Sequence, residues 1–314
     1  RERVRQNIEI ANAATLRKDE WEHLDATVRG AALDRLQIYK MIAGRNSYRL
    51  PGGLGTTEIQ YQTMTEAGVA ITSMYGLEDA DDDAPTFDRI NMPVPITYSG
   101  FSMSLREIET SRKNGTPLST IMVRQCTRRV IERVEDMYLG NLAAYTVGSG
   151  SGTVYGIRNY PDRIGKVLTL PTSDGWSPQL LFAELLDMRA ALKAQQFHGP
   201  YAVLFSPGWT AYLDDDYSAA YPGLSLREKI AKVGGTGRSG FTVMDDADRL
   251  PDFEVLMMQM DEGMIQSING MDLRLVQWQE KGGWVSRFKV ACVYVPWIQS
   301  NADGNAPICH GVAA

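Results

Sequence analysis

The sequence predicts an α+β fold, on three observations. Amphipathic helices and alternating strands are mixed along the chain without strict βαβ order, and the last third reads as β. Hydrophobic residues make up 44% and charged residues 22% of 314, ordinary globular values that exclude a mostly disordered chain. No apolar run approaches the ~18–20 residues that a membrane span needs, which excludes an integral membrane protein.

Residues 1–45 read as a polar, helical arm with Arg1, Arg3 and Arg5 at its tip. Trp21, Leu24, Val28, Ala32 and Leu36 recur at i, i+3, i+4 spacing, which predicts one helix over about 20–43, and Gly44 sits where a glycine would stop it. After the turn-rich Pro51-Gly52-Gly53-Leu54-Gly55, Ile59, Tyr61, Thr63 and Thr65 alternate with polar residues as in a strand. Met92, Val94, Ile96 and Tyr98 alternate on the way back, with Pro93 and Pro95 between them. Both missing N–H donors fall on one edge, so that strand is an outer one. Residues 46–98 thus read as a long two-stranded excursion. Such a hairpin is marginal in water by itself and needs a partner surface.

An amphipathic stretch from Leu105 to Arg112 precedes a helix predicted over 116–139. Thr116 is its N-cap, Pro117 its first residue, and Leu118, Met122, Cys126, Val130, Val134 and Met137 its apolar stripe. Gly140 ends it, and the Gly/Ser stretch 148–152 reads as a flexible separator. Ser177-Pro178 opens a helix to about Gln196 with Leu181, Leu185, Met188 and Leu192 on one face. Tyr201–Phe205 reads as a buried strand. Two short helices follow near 207–214 and 225–233, then a glycine-rich loop at 234–240. In the last third, strands are predicted at 253–260 and 264–268, and a hairpin at 271–278 and 284–295.

The net charge of −6 is carried by one segment. Residues 77–88 hold Glu78, Asp79, Asp81, Asp82, Asp83 and Asp88 with no Lys or Arg, so the other residues sum to zero and no global basic field gathers nucleic acid. Cys126, Cys292 and Cys309 form no CxxC pair, which favours a reducing compartment.

The motifs of catalysis are missing. His23, His198 and His310 make no HxxxH or HExxH pattern, and Cys309-His310 reads as a loop residue beside a buried thiol, so neither metal nor cofactor is expected. Neither glycine-rich stretch contains G-K-S/T. Ser206 ends an apolar strand but is followed by Pro207, a poor hydrolase elbow. Arg124, Arg128, Arg129 and Arg133 make a basic helix face that could touch phosphates, although interleaved Glu132, Glu135 and Asp136 favour a salt-bridged surface. The arginine tip Arg1, Arg3, Arg5 is the candidate nucleic-acid contact.

One ordered set of segments carries a resemblance. Phe101-Ser102-Met103-Ser104-Leu105-Arg106-Glu107 leads to a long helix ending Glu132-Arg133-Val134-Glu135-Asp136-Met137-Tyr138-Leu139-Gly140. Then come Tyr155-Gly156-Ile157-Arg158, Gly199-Pro200-Tyr201-Ala202-Val203-Leu204-Phe205-Ser206-Pro207, and the final hairpin. Over about residues 15–298 this order resembles the encapsulin (linocin-like) shell proteins and the tailed-phage major capsid proteins of the Hong Kong 97-type fold. The resemblance implies an N-terminal arm (1–45), an extended β-hairpin loop (46–98), and a peripheral domain with a long spine helix (99–150). An axial domain (151–251), return strands of the peripheral domain (252–298) and a C-terminal tail (299–314) complete the expected division. It implies a non-enzymatic major capsid protein that assembles in the host cytoplasm into a virion shell of pentamers and hexamers. That shell would enclose double-stranded DNA bound without sequence preference, with portal, scaffold or decoration proteins as further partners and no membrane. The alternative is an encapsulin compartment around a protein cargo. A chain beginning at Arg1 rather than Met fits a phage protein trimmed by a maturation protease. Expected contacts between subunits are Tyr61, Met64, Tyr75, Phe87, Met92 and Val94, and Gly234, Gly235, Gly237 and Arg238 are placed at the axial loop. No Lys lies between Lys40 and Lys113, so the lysine crosslink of some phage capsids is not expected.

Overall fold

The structure is a computed structural model describing residues 16–33, 36–64, 72, 74–75, 87–114, 120–146, 152–218, 223–233, 240–244, 247–301 and 303–314. In chain order the helices are α1 (Lys18–Leu33), α2 (Gln37–Ala43), α3 (Leu105–Asn114), α4 (Ile121–Leu139), α5 (Pro178–Ala194), α6 (Thr210–Asp214) and α7 (Leu226–Ala231). The strands are β1 (Ser47–Arg49), β2 (Glu58–Met64), β3 (Phe87–Pro93), β4 (Thr97–Ser104), β5 (Tyr145–Thr146), β6 (Thr153–Val154) and β7 (Ile164–Leu168). They continue with β8 (Tyr201–Phe205), β9 (Phe241–Met244), β10 (Glu254–Gln259), β11 (Ile265–Glu280), β12 (Val285–Ile298) and β13 (Ile308–Ala313). The mixed α+β class is as predicted.

The chain divides into two compact units. The first comprises residues up to Thr56, Val94–Tyr138 and Ser267–Val295, and its sheet runs β1-β11-β12-β4. Helix α4 buries Val123, Cys126, Val130, Ile131, Val134 and Tyr138. The expected cap Thr116 and first residue Pro117 lie outside the described residues; the described helix begins at Ile121, with the Thr120 carbonyl accepting from Arg124 N–H at 2.9 Å. Met122, expected on the buried stripe, is 46% exposed. Helix α3 opens with a reciprocal cap, in which Ser104 N–H donates to Glu107 Oε2 at 2.8 Å and Glu107 N–H to Ser104 Oγ at 3.3 Å.

The single helix expected over 20–43 is two, α1 and α2. The buried Glu135 carboxylate accepts from the backbone N–H groups of Ile38 (3.1 Å) and Tyr39 (3.2 Å), giving α2 a cap that its own Leu36 lacks. The strands expected at 264–268 and 271–278 are one continuous β11. At Gly270 a Cβ would stand 2.8 Å from Val293 Cγ1, so glycine there keeps the strand unbroken against its neighbour. The return strand expected over 92–98 is divided. Residues up to Pro93 pair with β2, while from Thr97 the chain pairs with β12, Thr97 opposite Cys292.

The second unit comprises Thr57–Pro93, Leu139–Gln266 and Pro296–Ala314, and its main sheet runs β7-β13-β10-β8-β9. Ser177 Oγ accepts from Leu180 N–H at 3.2 Å and starts α5. The four predicted positions Leu181, Leu185, Met188 and Leu192 are buried against Tyr201, Val203 and Phe205 of β8 and Val255 and Met257 of β10. Each such burial contributes about 1.5–3 kcal/mol. Two expectations are corrected here. The strand at 254–259 belongs to this sheet and not with β11 and β12, and residues 308–313, expected as tail, form an inner strand between β7 and β10. Among the described residues no helix is long and apolar enough to cross a membrane.

Candidate assembly surfaces

Among the described residues strands β2 and β3 pair only with each other, antiparallel, from Glu58 opposite Pro93 to Met64 opposite Phe87. Opposite residues share a face, so Ile59 with Met92 and Tyr61 with Ile90 form one apolar side. Cover on that side falls away from the base. Met92 is 5% exposed and Ile90 37%, while beyond the strands Tyr75 is 82% and Met74 94% exposed. Tyr61 is half-buried with its ring 5.6 Å from that of Trp297, and burial pushes its hydroxyl pKa up to about 12.

The base of the hairpin is seated by a glycine. A Cβ on Gly152 would stand 1.1 Å from the Asn91 carbonyl oxygen, a place where only backbone fits. The Gly/Ser stretch expected as a flexible separator therefore ends in a close approach of β6 to β3. Met92 and Val94, expected to lie open to a neighbouring copy, are covered within the chain, at 5% and 8% exposure. Tyr75 is open, whereas the side chains of Met64 and Phe87 lie outside the described residues, as do Arg1, Arg3, Arg5, Gly234, Gly235, Gly237 and Arg238.

The first unit carries a second open surface. On β4, β11 and β12, Tyr98 (61% exposed), Trp278, Arg287 and Lys289 line a groove of about 340 Å³ floored by Gly100. Lys289 Nζ lies 4.3 Å from the ring centre of Tyr98 and 5.5 Å from that of Trp278.

The polar centre of the second unit was invisible to motif reading. Glu254, on β10, takes two bonds from Arg158, Nε to Oε2 and Nη2 to Oε1, each 2.7 Å. His310 Nε2, on β13, lies 2.9 Å from Glu254 Oε2. Arg158 Nη1 also donates to Asn141 Oδ1 at 2.8 Å. His310 is thus a buried strand residue and not the loop residue expected. Burial lowers its pKa, with Glu254 pulling the other way and Arg158 and Arg163 adding to the lowering. The members of this cluster bond one another, and no group of three metal-ligating side chains occurs among the described residues. Ser206 is fully buried while His198 is exposed, which removes the geometry a hydrolase needs. No charge run, periodicity or short motif links Arg158, Glu254 and His310; only the sheet order does.

Comparison with known proteins agrees with this architecture. The profile of a family of unknown function, DUF6260, matches residues 11–279. The type 1 encapsulin shell protein EncA of Myxococcus xanthus is 24% identical over 197 residues, 61% of this chain and 61% of that protein, so the match spans about three fifths of the relative. Among solved structures, the capsid of Myoviridae phage XM1 superposes with a TM-score of 0.63 at 12% identity, covering 86% of this chain and 90% of that one. The virus-like particle from Pyrococcus furiosus gives 0.58 at 13% identity, covering 92% and 98%. The capsid of a native GTA particle gives 0.58 at 16%, covering 90% of each chain.

Proposed function

We propose, for a chain that belongs to the DUF6260 family and has the Hong Kong 97-type fold of capsid and encapsulin shell proteins, that it is a non-enzymatic major capsid protein. Copies of it assemble as pentamers and hexamers into an icosahedral head around double-stranded DNA. The observation that carries assembly is the hairpin, a ribbon whose strands, among the described residues, pair only with each other and whose apolar side loses cover from Met92 to Ile90, with Tyr75 and Met74 in water between the two strands in sequence. Solitary exposure of that kind is unfavourable, and a second copy offers the matching cover. The expected division into arm, extended loop, peripheral domain and axial domain, amended so that strands 254–259 and 308–313 join the sheet of Tyr201–Phe205, with the 234–240 loop toward the symmetry axes, is part of this proposal. So is assembly in the host cytoplasm. The DNA-filled form is supported by likeness to the phage and GTA capsids.

A second reading, a protein-filled compartment, is favoured by the sequence relation to an encapsulin shell protein. Purified, nuclease-treated particles separate the two. Shells holding protected duplex DNA are expected, and shells holding a second protein and no DNA establish the compartment instead. A monodisperse monomer at micromolar concentration, its hairpin resistant to protease, overturns both.

A further inference from the structure

The exposed side of α4 carries four arginines, of which three have no carboxylate partner among the described residues. Arg124, Arg128, Arg129 and Arg133 are all exposed, and Ile121 and Met122 stand open beside them. Only Arg128 has a carboxylate within reach, Glu132 at 2.6 Å; among the described residues Arg124, Arg129 and Arg133 have none. The salt-bridged surface favoured by the sequence is made in part, by Arg128 with Glu132, and leaves three arginines of the face without an acidic partner among the described residues.

Val123, Cys126, Val130 and Val134 fill the buried arc, so the helical repeat puts Arg124 and Arg128 along one rim of the exposed arc and Arg129 and Arg133 along the other. From Arg124 to Arg133 the helix advances about 13.5 Å. One strand of a duplex presents about four phosphates over that axial length. The acidic residues of this arc, Glu132 and Asp136, are half-buried and lie between the two rows, Glu132 held by Arg128 and Asp136 one turn beyond. Guanidinium groups fork onto phosphate oxygens in pairs, which a point charge cannot do.

We propose that this face of α4 is the surface on which the shell meets the phosphate backbone of double-stranded DNA, without reading sequence. The proposal rests on the DNA-filled-head reading and puts α4 on the inner wall. It supplies a local cationic surface in a chain whose overall charge is −6.

The test is the salt dependence of binding of the full-length chain to a mixed-sequence duplex of about 30 base pairs, over about 50 to 200 mM salt. Each phosphate contact contributes about 0.9 to the slope of log affinity against log salt. Replacing Arg124, Arg129 and Arg133 together by Gln is expected to lower that slope by about 2 to 3, with the thermal midpoint unchanged, and replacement by Lys to keep most of it. The exposed Lys166, Lys193 and Lys232, changed together to Gln, remove equal charge elsewhere and are expected to leave the slope alone. An unchanged slope in the arginine variant, or an equal fall in the lysine variant, overturns the proposal. So does loss of particle assembly with an unchanged slope, which gives the face to a second copy. The contents of wild-type particles test the DNA-filled-head reading separately: shells holding only protein overturn that reading whatever the slope shows.

Discussion

Replacing Glu254 by Ala strands a cation. The carboxylate is 7% exposed and takes both forks of the Arg158 guanidinium at 2.7 Å. Removing one member of a buried ion pair costs about 3–5 kcal/mol, most of it the penalty of leaving the other charge unpaired. Arg158 keeps 22% of its side chain in water, so part of that charge finds solvent and the lower end, about 3 kcal/mol, is expected. Spread over an unfolding entropy of about 2.1 cal/mol/K per residue, the loss lowers the thermal midpoint by about 5 °C for a chain unfolding as one body. Circular dichroism melting on chain held below its assembly concentration, with particles in parallel, reads it. The partner experiment decides the mechanism. With Arg158→Met and Glu254→Leu together no charge is stranded, and at least half of the lost stability returns. A Glu254→Ala midpoint within about 1 °C of the parent, or a double variant as damaged as the single, refutes the reasoning.

Three further outcomes follow from the same structure. The His310 pKa is lowered in the folded state, so its neutral form contributes stability fully above the unfolded value near 6.5; that stability is lost as pH falls through the lowered folded value. Melting between about pH 7.5 and 5 is expected to show this slope and His310→Gln to flatten it; equal slopes in the two proteins count against it. Gly152→Ala sets a Cβ on the Asn91 carbonyl oxygen, so β3 must lift from β6, and limited proteolysis within 57–93 is expected to accelerate at least about tenfold; an unaltered digestion pattern contradicts the seat. With no lysine between Lys40 and Lys113, fully reduced particles are expected to run as a single monomer band on a denaturing gel, and a ladder of oligomers overturns this.

What the sequence disclosed was local. The cap Ser177, the stripe from Leu181 to Leu192 and the stop at Gly140 are each set by neighbours within a few residues, and each stands where periodicity puts it. What escaped is set by partners far along the chain. The break between α1 and α2 depends on Glu135, 97 residues from Ile38. Strand β13 is a short run after Pro307 that looks like tail until β7 and β10 flank it. The cluster of Arg158, Glu254 and His310 draws on three segments, and on α4 the spacing permits several ion pairs of which the arginines make one, Arg128 with Glu132.

The hairpin shows why partial cover serves assembly better than either extreme. A ribbon free along its whole length would lose backbone and side-chain entropy only on meeting a neighbour, and that ordering would be subtracted from the contact energy. A ribbon wholly folded onto its own body would have nothing apolar left to offer. Here Gly152 and Trp297 fix the base, with Met92 buried and Tyr61 half-covered. The ordering of that part is complete before any copy arrives. The distal part keeps Ile90, Tyr75 and Met74 open, followed by the segment that carries the net charge of −6. Apolar attraction acts at contact range, whereas the acidic segment 77–88 repels its counterpart in another copy over about 8–10 Å at ordinary salt. In the proposed assembly two such segments therefore repel before they touch, while one that meets a different surface of a neighbour does not. A head-to-tail arrangement of that kind gives rings where its rotation closes, the geometry the proposed shell requires.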